Sequence, residues 1–508
     1  MKIKLIYPKM HDTSRGTKVK YRLVPPQSLL ALAALTPPEN ILEIHDENVS
    51  PLRTDDSPDL VGITVYVASA RRAYEIATRY RERRIPVVMG GLHVSALPDE
   101  AMLYADAIVL GEAEETWHQV IADAARGRLQ RRYPEHEIPC TLQSKPTSAH
   151  PKNVPPSGLT ATVQREVRTG CVPWGSKGVG AVSLRCRRMI PKWTYLTRNS
   201  LLATRGCNRH CAFCYRSSQP DSPFRCRPVE DVIAEVKEMG GGCFVLLDDN
   251  LAADRRYARS LFGALRGASK VWMGAASIDV ADDERLLDLM AESGCCSLFI
   301  GLESIRQENL DRMGKSSNCV ALYRESVRRI RARGIMVNGS FIFGFDADDV
   351  GVFDRTTDWA QEMCLDTATF HILTPYPGTP LFRQMECEGR ILDRNWSHYD
   401  TAHVVFQPMQ MAPDELAEGY ERTYDRFYTW GSILKRLAAD PWGRVPRLML
   451  NTGYKRMNML WPWLNRLGLS AVPFRLFVAA LKHHRRSWQW SLAGDAVARG
   501  KPAWRYTT

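Results

Sequence analysis

Cys207, Cys211 and Cys214 stand in a C-x3-C-x2-C frame within Arg205-Gly206-Cys207-Asn208-Arg209-His210-Cys211-Ala212-Phe213-Cys214-Tyr215. Three thiolates at this spacing can hold three irons of a four-iron cluster, because such clusters take one cysteine per iron. The fourth iron is then open, and a cluster with an open iron can bind and reduce a substrate. A structural zinc site asks for two paired C-x2-4-C or C…H elements, and no second pair lies nearby. The remaining reading is that these are unrelated core cysteines, since the chain has thirteen. The run Ser200-Leu201-Leu202-Ala203-Thr204 just before the frame reads as a buried strand. It places the cysteines on a loop leaving a strand's C-terminal end, where barrel enzymes keep their chemistry.

Further polar groups recur where strands end. Over residues 197–390, short apolar runs alternate with helical patterns such as Val229–Met239, Glu284–Ser293 and Asn318–Arg333. The runs end in Asp248-Asp249-Asn250, in Gly301-Leu302-Glu303-Ser304, at Gly344, and in Thr374-Pro375. Six β/α units are counted, enough for an open partial barrel. Residues 1–125 show the same alternation, with five strands that predict a doubly wound parallel sheet. Its ligand belongs across the C-terminal strand ends, which carry Tyr7, Asp46, Thr64, Gly90-Gly91 and Gly111-Glu112. Glycines there let the backbone approach a large flat ligand, although tight turns alone also explain them. The dinucleotide fingerprint G-x-G-x-x-G is missing after the first strand, which counts against NAD and FAD.

The cysteine segment resembles the radical S-adenosylmethionine (SAM) signature. The sheet domain before it resembles the cobalamin-binding domain of the cobalamin-dependent radical SAM family. That second likeness rests on Val88-Met89-Gly90-Gly91-Leu92-His93 through Glu100, and on Val109-Leu110-Gly111-Glu112-Ala113-Glu114-Glu115. The D-x-H-x-x-G motif that supplies an axial histidine to other cobalamin enzymes is absent, as it is in this branch. His93 does not match its spacing and reads as a loop histidine. The resemblance implies an α/β fold: a Rossmann-like cobalamin-binding domain (1–135), a linker (136–196), a partial (β/α)6 radical SAM barrel (197–390) and a mainly helical C-terminal region (391–508). It implies a [4Fe-4S] cluster on Cys207, Cys211 and Cys214, with SAM on the open iron. Asp248 and Asp249 then approach the SAM amino group, Glu303 and Ser304 its ribose and methionine ends, and Tyr215 and Gly344 its adenine. Tyr7, Asp46, Thr64, Gly90, Gly91, Gly111 and Glu112 then contact cobalamin.

The expected activity is methyl transfer from SAM, by way of cobalamin, to an unactivated carbon of a small natural-product or lipid-like substrate. An oxidative cyclase or ring-rearranging enzyme, and a non-catalytic cobalamin sensor, are the alternatives. The intact cysteine frame with Asp248 and Glu303 argues against the sensor. A flavodoxin or ferredoxin is the expected electron donor.

The scattered, odd-numbered cysteines and the lack of a signal peptide predict a reducing cytoplasm with ligand or core cysteines and no disulfides. No run of eighteen apolar residues is present. The net charge of +12 sits in residues 431–508, with fourteen Lys or Arg against two acids. There the basic residues interleave with aromatics such as Trp442, Trp461 and Trp488. One reading is a peripheral surface on the inner face of a membrane; the other is a helical cap on the barrel. No RNA-binding motif accompanies the charge, so nucleic acid is not expected. Residues 145–190, rich in Pro, Gly, Ser and Arg, read as a partly ordered connector.

Overall fold

The computed structural model describes residues 1–10, 23–134, 172–173, 184–190, 195–218, 224–438, 443–454 and 475–485. The N-terminal unit is a six-stranded parallel sheet of β1 (Lys2–Tyr7), β2 (Ile41–Asp46), β3 (Leu60–Thr64), β4 (Val87–Gly90), β5 (Ala107–Val109) and β6 (Arg132–Tyr133), in the order β2-β1-β3-β4-β5-β6. A sheet covered on both faces needs strands that are apolar throughout, and β3 (Leu-Val-Gly-Ile-Thr) is buried along its whole length. On one face Ile63 and Met89 pack with Ile76 and Tyr80 of the helix Ala70–Glu82. On the other, Leu5 packs with Leu29 of the helix Gln27–Leu35 and with Trp117 of the helix Trp117–Ala125. The chain winds one way from β1 to β2 and the other way from β3 onward. This leaves a crevice at the β1/β3 ends, where such sheets bind ligands.

The connector contributes β7 (Val172–Pro173) and a short helix, Leu184–Met189. Cys186, Ile190 and Tyr195 pack against Leu30 and Ala33 of the first sheet's helix. Arg187 is buried and paired with Glu235, which also holds Arg227 at 2.7 Å.

The second large unit is again six parallel strands. They are β8 (Ser200–Leu201), β11 (Cys243–Leu246), β12 (Val271–Ala276), β13 (Cys295–Glu303), β14 (Met336–Phe343) and β15 (Thr367–Ile372), in the order β15-β14-β13-β12-β11-β8. This is the open six-unit barrel that the β/α rhythm predicted. Between β8 and β11 a small ladder pairs β9 (Thr204–Arg205) antiparallel with β10 (Arg225–Cys226). The barrel core runs from Leu246 and Trp272 through Ile300 and Phe341 to Phe370.

The C-terminal region caps this barrel, as one of the two sequence readings held. The helix Pro413–Phe427 lies along β15, where the Tyr428 hydroxyl donates to the Ala368 carbonyl at 2.7 Å. Arg436, on the helix Trp430–Ala438, is buried with its guanidinium 4.0 Å from the Phe427 ring centre. Residues 475–485 form a helix that closes the opposite end. Phe477 and Leu481 pack on Cys243, Val271, Cys296 and Met336, at the starts of four strands. Arg485 donates to the Cys295 carbonyl at 2.9 Å. Trp442, Trp461 and Trp488 lie outside the described residues, and no described helix is long and apolar enough to cross a membrane. Among the described residues ten cysteines are free thiols. Cys226 is disulfide-bonded, which corrects the expectation of a wholly reduced set.

Candidate active site between two sheets

The cysteine loop leaves β9 at Gly206, whose φ of +95° suits glycine. Two backbone bonds and one side chain fix its middle. Ala212 N–H donates to the Met313 carbonyl at 2.9 Å, Leu381 N–H donates to the Ala212 carbonyl at 3.2 Å, and Ser217 Oγ donates to the Cys211 carbonyl at 2.8 Å. Cys211 is buried, while Cys207 and Cys214 are half-buried. Burial pushes the Cys214 thiol up to about 12, and raises Cys211 against the pull of the nearby Lys315 ammonium. Among the described residues no three ligand-type side chains converge on a single-ion site. The donor set of three soft sulfurs on one braced loop fits a four-iron cluster.

The neighbouring strand-end acids divide by orientation. Asp248 is turned inward, where its carboxylate accepts from Ala203 N–H at 3.1 Å, from Thr204 N–H and from Thr204 Oγ1 at 2.6 Å. It braces the strand that leads into the cysteine loop. Asp249 turns outward, accepts from the Tyr215 hydroxyl, and lies 3.7 Å from Arg216 Nε. Glu303 ends β13 with a φ of +64°, a strained value for a residue with a side chain. Its carboxylate lies 3.0 Å from Lys315 Nζ. Burial works against the Lys315 ammonium, yet Glu303 and the thiols of Cys211 and Cys214 outweigh it and hold its pKa above the ordinary value. Lys315 escaped the sequence reading because it lies off any strand end, twelve positions after Glu303.

Ser304 and Gly344 belong to a buried brace. Asn309 Nδ2 donates to Ser304 Oγ at 3.1 Å and to Asp348 Oδ1 at 2.7 Å. Asp348 in turn accepts from Gly344 N–H and Phe345 N–H, both at 3.1 Å. At Gly344 (φ +97°) an added Cβ would meet Leu416 at 2.8 Å and Phe406 at 3.0 Å, so the C-terminal helix packs against it there. Burial lifts the Asp348 carboxyl to about 6 despite these donors. The folded chain therefore keeps a proton that the unfolded chain has lost between about pH 4 and 6, and this group's contribution falls as pH rises through about 6. In urea unfolding, Asp348→Asn should gain on the parent as pH is raised from about 4 to about 7. A constant offset between the two would contradict the raised pKa.

At the N-terminal sheet, a cleft of about 450 Å³ opens across the strand ends. Its lining takes in Tyr7, Asp46, Thr64, Gly90, Gly91, Gly111 and Glu112 from this sheet, and Tyr215 and Asp249 from the barrel. Cys207, Cys211, Cys214, Asp248, Glu303, Ser304 and Gly344 lie outside it. Leu29, Val88, Val109, Leu202 and Leu247 make its walls apolar, and Tyr66, which the sequence reading missed, joins Tyr7 edge-on at 5.7 Å between ring centres. Asp46 is buried and accepts from the Tyr195 hydroxyl at 2.6 Å, so the connector's end is fastened to the cleft. Gly91 has a φ of +113°, and an added Cβ would lie 2.8 Å from the Val65 carbonyl oxygen; Gly90 has room for one. His93 lies in the short helix Leu92–Ala96 and not in a loop. It is fully buried, 3.0 Å from the Tyr74 hydroxyl, and does not line the cleft. Among the described residues the lining holds no histidine. The cavity is smaller than a whole corrinoid and suits one buried part of it.

Comparison with known proteins agrees with both halves. Residues 201–360 match the model of the radical SAM superfamily, residues 42–121 that of the B12 binding domain, and residues 379–499 that of a domain of unknown function, DUF4070. Over 442 residues the chain is 28% identical to the bacteriochlorophyllide d C-8(2)-methyltransferase of Chlorobaculum tepidum, covering 84% of this chain and 91% of that protein. It is 28% identical over 390 residues to the bacteriochlorophyllide d C-12(1)-methyltransferase of the same organism, covering 75% and 77%. The fold is shared with the radical S-adenosylmethionine methyltransferase TsrM from Kitasatospora setae, solved with tryptophan substrate and a SAM analogue. That likeness has a TM-score of 0.58 at 19% identity, covering 97% of this chain and 100% of that one.

Proposed function

We propose that the chain, whose residues 201–360 and 42–121 match the radical SAM and B12 binding models, is a cobalamin-dependent radical SAM enzyme that methylates an unactivated carbon of a hydrophobic natural product or lipid-like molecule. The observation that carries this reading is the shared cleft: strand ends of the first sheet and the Tyr215–Asp249 pair of the barrel line one cavity. When bound, the cluster supplies the electron for reductive cleavage of SAM, and cobalamin supplies the methyl carrier.

The chain's own residues do the rest. Cys207, Cys211 and Cys214 hold the cluster on a loop braced by Asp248 and Ser217. Asp249 offers a carboxylate to an ammonium, and the Tyr215 hydroxyl that donates to it fixes its direction. Glu303 and Lys315 set a paired charge beside the thiols. The Gly91 and Gly111 turns let backbone approach the corrinoid closely, and the leucines and valines of the walls exclude water. An external one-electron donor such as flavodoxin or ferredoxin completes the scheme. We place the enzyme in the cytoplasm, with a peripheral contact to an anionic membrane surface made by basic C-terminal residues outside the described cap; the charge of that part of the sequence supports this reading.

The test is product analysis. Reconstituted protein with methyl-labelled SAM, a low-potential reductant and bacteriochlorophyllide d, the acceptor named for the two relatives, should give S-adenosylhomocysteine, 5′-deoxyadenosine and a labelled acceptor. Should that acceptor stay unlabelled, S-adenosylhomocysteine still reports methyl transfer from SAM and sends the search to other apolar acceptors. 5′-Deoxyadenosine without S-adenosylhomocysteine would overturn methyl transfer in favour of cyclase or rearrangement chemistry.

A further inference from the structure

Arg205 and Arg225 face one another across the β9/β10 ladder. Like charges directly opposite in an antiparallel pair repel, and this ladder leads straight into the cysteine loop. Its neutralisation comes from the other domain. Glu112 contacts both arginines, at 2.9 Å to Arg205 Nη1 and closely to Arg225 Nη2, while Glu114 lies 2.5 Å from Arg205 Nη2. The four side chains are mostly buried, with Glu114 only 8% exposed. In such a setting a carboxylate or guanidinium left without its partner is heavily penalised. Glu112 and Glu114 also sit on the turn after β5, where Gly111 lines the cleft and its N–H donates to Ser95 Oγ at 2.9 Å. One ion network thus joins the turn that borders the corrinoid cleft to a residue two positions before Cys207. Glu112, expected to be a cofactor contact, spends its carboxylate on this network.

We propose that Arg205 is a positioning residue which, through Glu112 and Glu114, couples occupancy of the two cofactor sites. A corrinoid packed on the turn after β5 would hold both carboxylates in the contacts they already make with the ladder. A neutralised ladder in turn holds the cysteine loop in register for the cluster. By linkage the effect runs both ways with equal size. The proposal rests on the family reading of the two sites.

The experiment titrates hydroxocobalamin into the full chain, with and without anaerobic reconstitution of its iron and sulfide. Coupling between sites is commonly 5- to 150-fold, so the reconstituted parent should bind roughly tenfold tighter than the apo chain. Arg205→Gln should load both probes yet bring that ratio to about one. A general loss of stability would weaken both affinities and leave their ratio standing. Glu114→Gln, which leaves Glu112 with both arginines, should give an intermediate ratio and serves if Arg205→Gln does not fold. A ratio near one in the parent, or an unchanged ratio in the variants, would overturn the proposal. Failure of the parent to load either probe would overturn the family reading and the proposal with it, so the two failures are distinguishable.

Discussion

Replacing Cys207, Cys211 or Cys214 singly by alanine is expected to abolish SAM cleavage while the chain still folds. An open-iron cluster has no spare ligand, so removing one of three thiolates leaves two irons without protein sulfur. The loop does not need the thiols for its shape, because Ala212, Ser217 and Leu381 hold it through hydrogen bonds to main-chain carbonyls. Two of the three thiols are only half-buried, so little packing is lost. The measurements are iron and sulfide content after anaerobic reconstitution, and 5′-deoxyadenosine formed under reductant. Cys319→Ala, which alters an exposed thiol elsewhere, should match the parent. Parental cleavage in any of the three site variants would refute the ligand assignment.

Gly91→Ala should damage the first domain far more than Gly90→Ala, although the two residues are neighbours on one turn. At Gly91 the backbone is left-handed and an added methyl meets the Val65 carbonyl oxygen at 2.8 Å and the Val65 nitrogen at 3.0 Å. Neither atom can yield without moving β3's exit. Backbone strain of this kind costs about 1–3 kcal/mol before the collision is counted. At Gly90 the nearest atom stands at 3.5 Å, an ordinary contact. Urea unfolding should separate the two variants by at least the strain term, and hydroxocobalamin uptake should fall with Gly91→Ala. Equal stability would mean that this turn relaxes, and that the glycine serves something other than close approach.

The strands and their order of appearance were open to sequence reading because burial imposes a period. β3, β11 and β14 announce themselves as short apolar runs between helical stripes. The cysteine loop was equally open, since its chemistry is local. What stayed hidden depends on partners far along the chain. Asp248 and Asp249 are adjacent acids at one strand end, and only the alternation of that strand's exit decides which of them faces inward. Glu112 looks like a ligand-facing acid until Arg205 and Arg225, about a hundred residues later, are seen to take it. Asp46 is tied to Tyr195 in the same way, across a compositionally irregular connector that gives no periodic signal. The tail presented basic charge and aromatics together, which suit a membrane and a cap alike. Phe477 and Leu481 identify the described part as a cap because they meet apolar strand starts.

That last contact sets a schedule for the chain's birth. Domains fold in order as they leave the ribosome, and residues before about 134 close most of the first sheet's two faces, to which Cys186, Ile190, Tyr195 and Trp396 are added later. The barrel is different. Its six strands are all made by Ile372, yet among the described residues the cluster around Cys243, Val271, Cys296 and Met336 gains its cover only from Met449, Leu450, Phe477 and Leu481. Until those residues are made, an apolar barrel floor faces solvent and any chaperone at the tunnel exit.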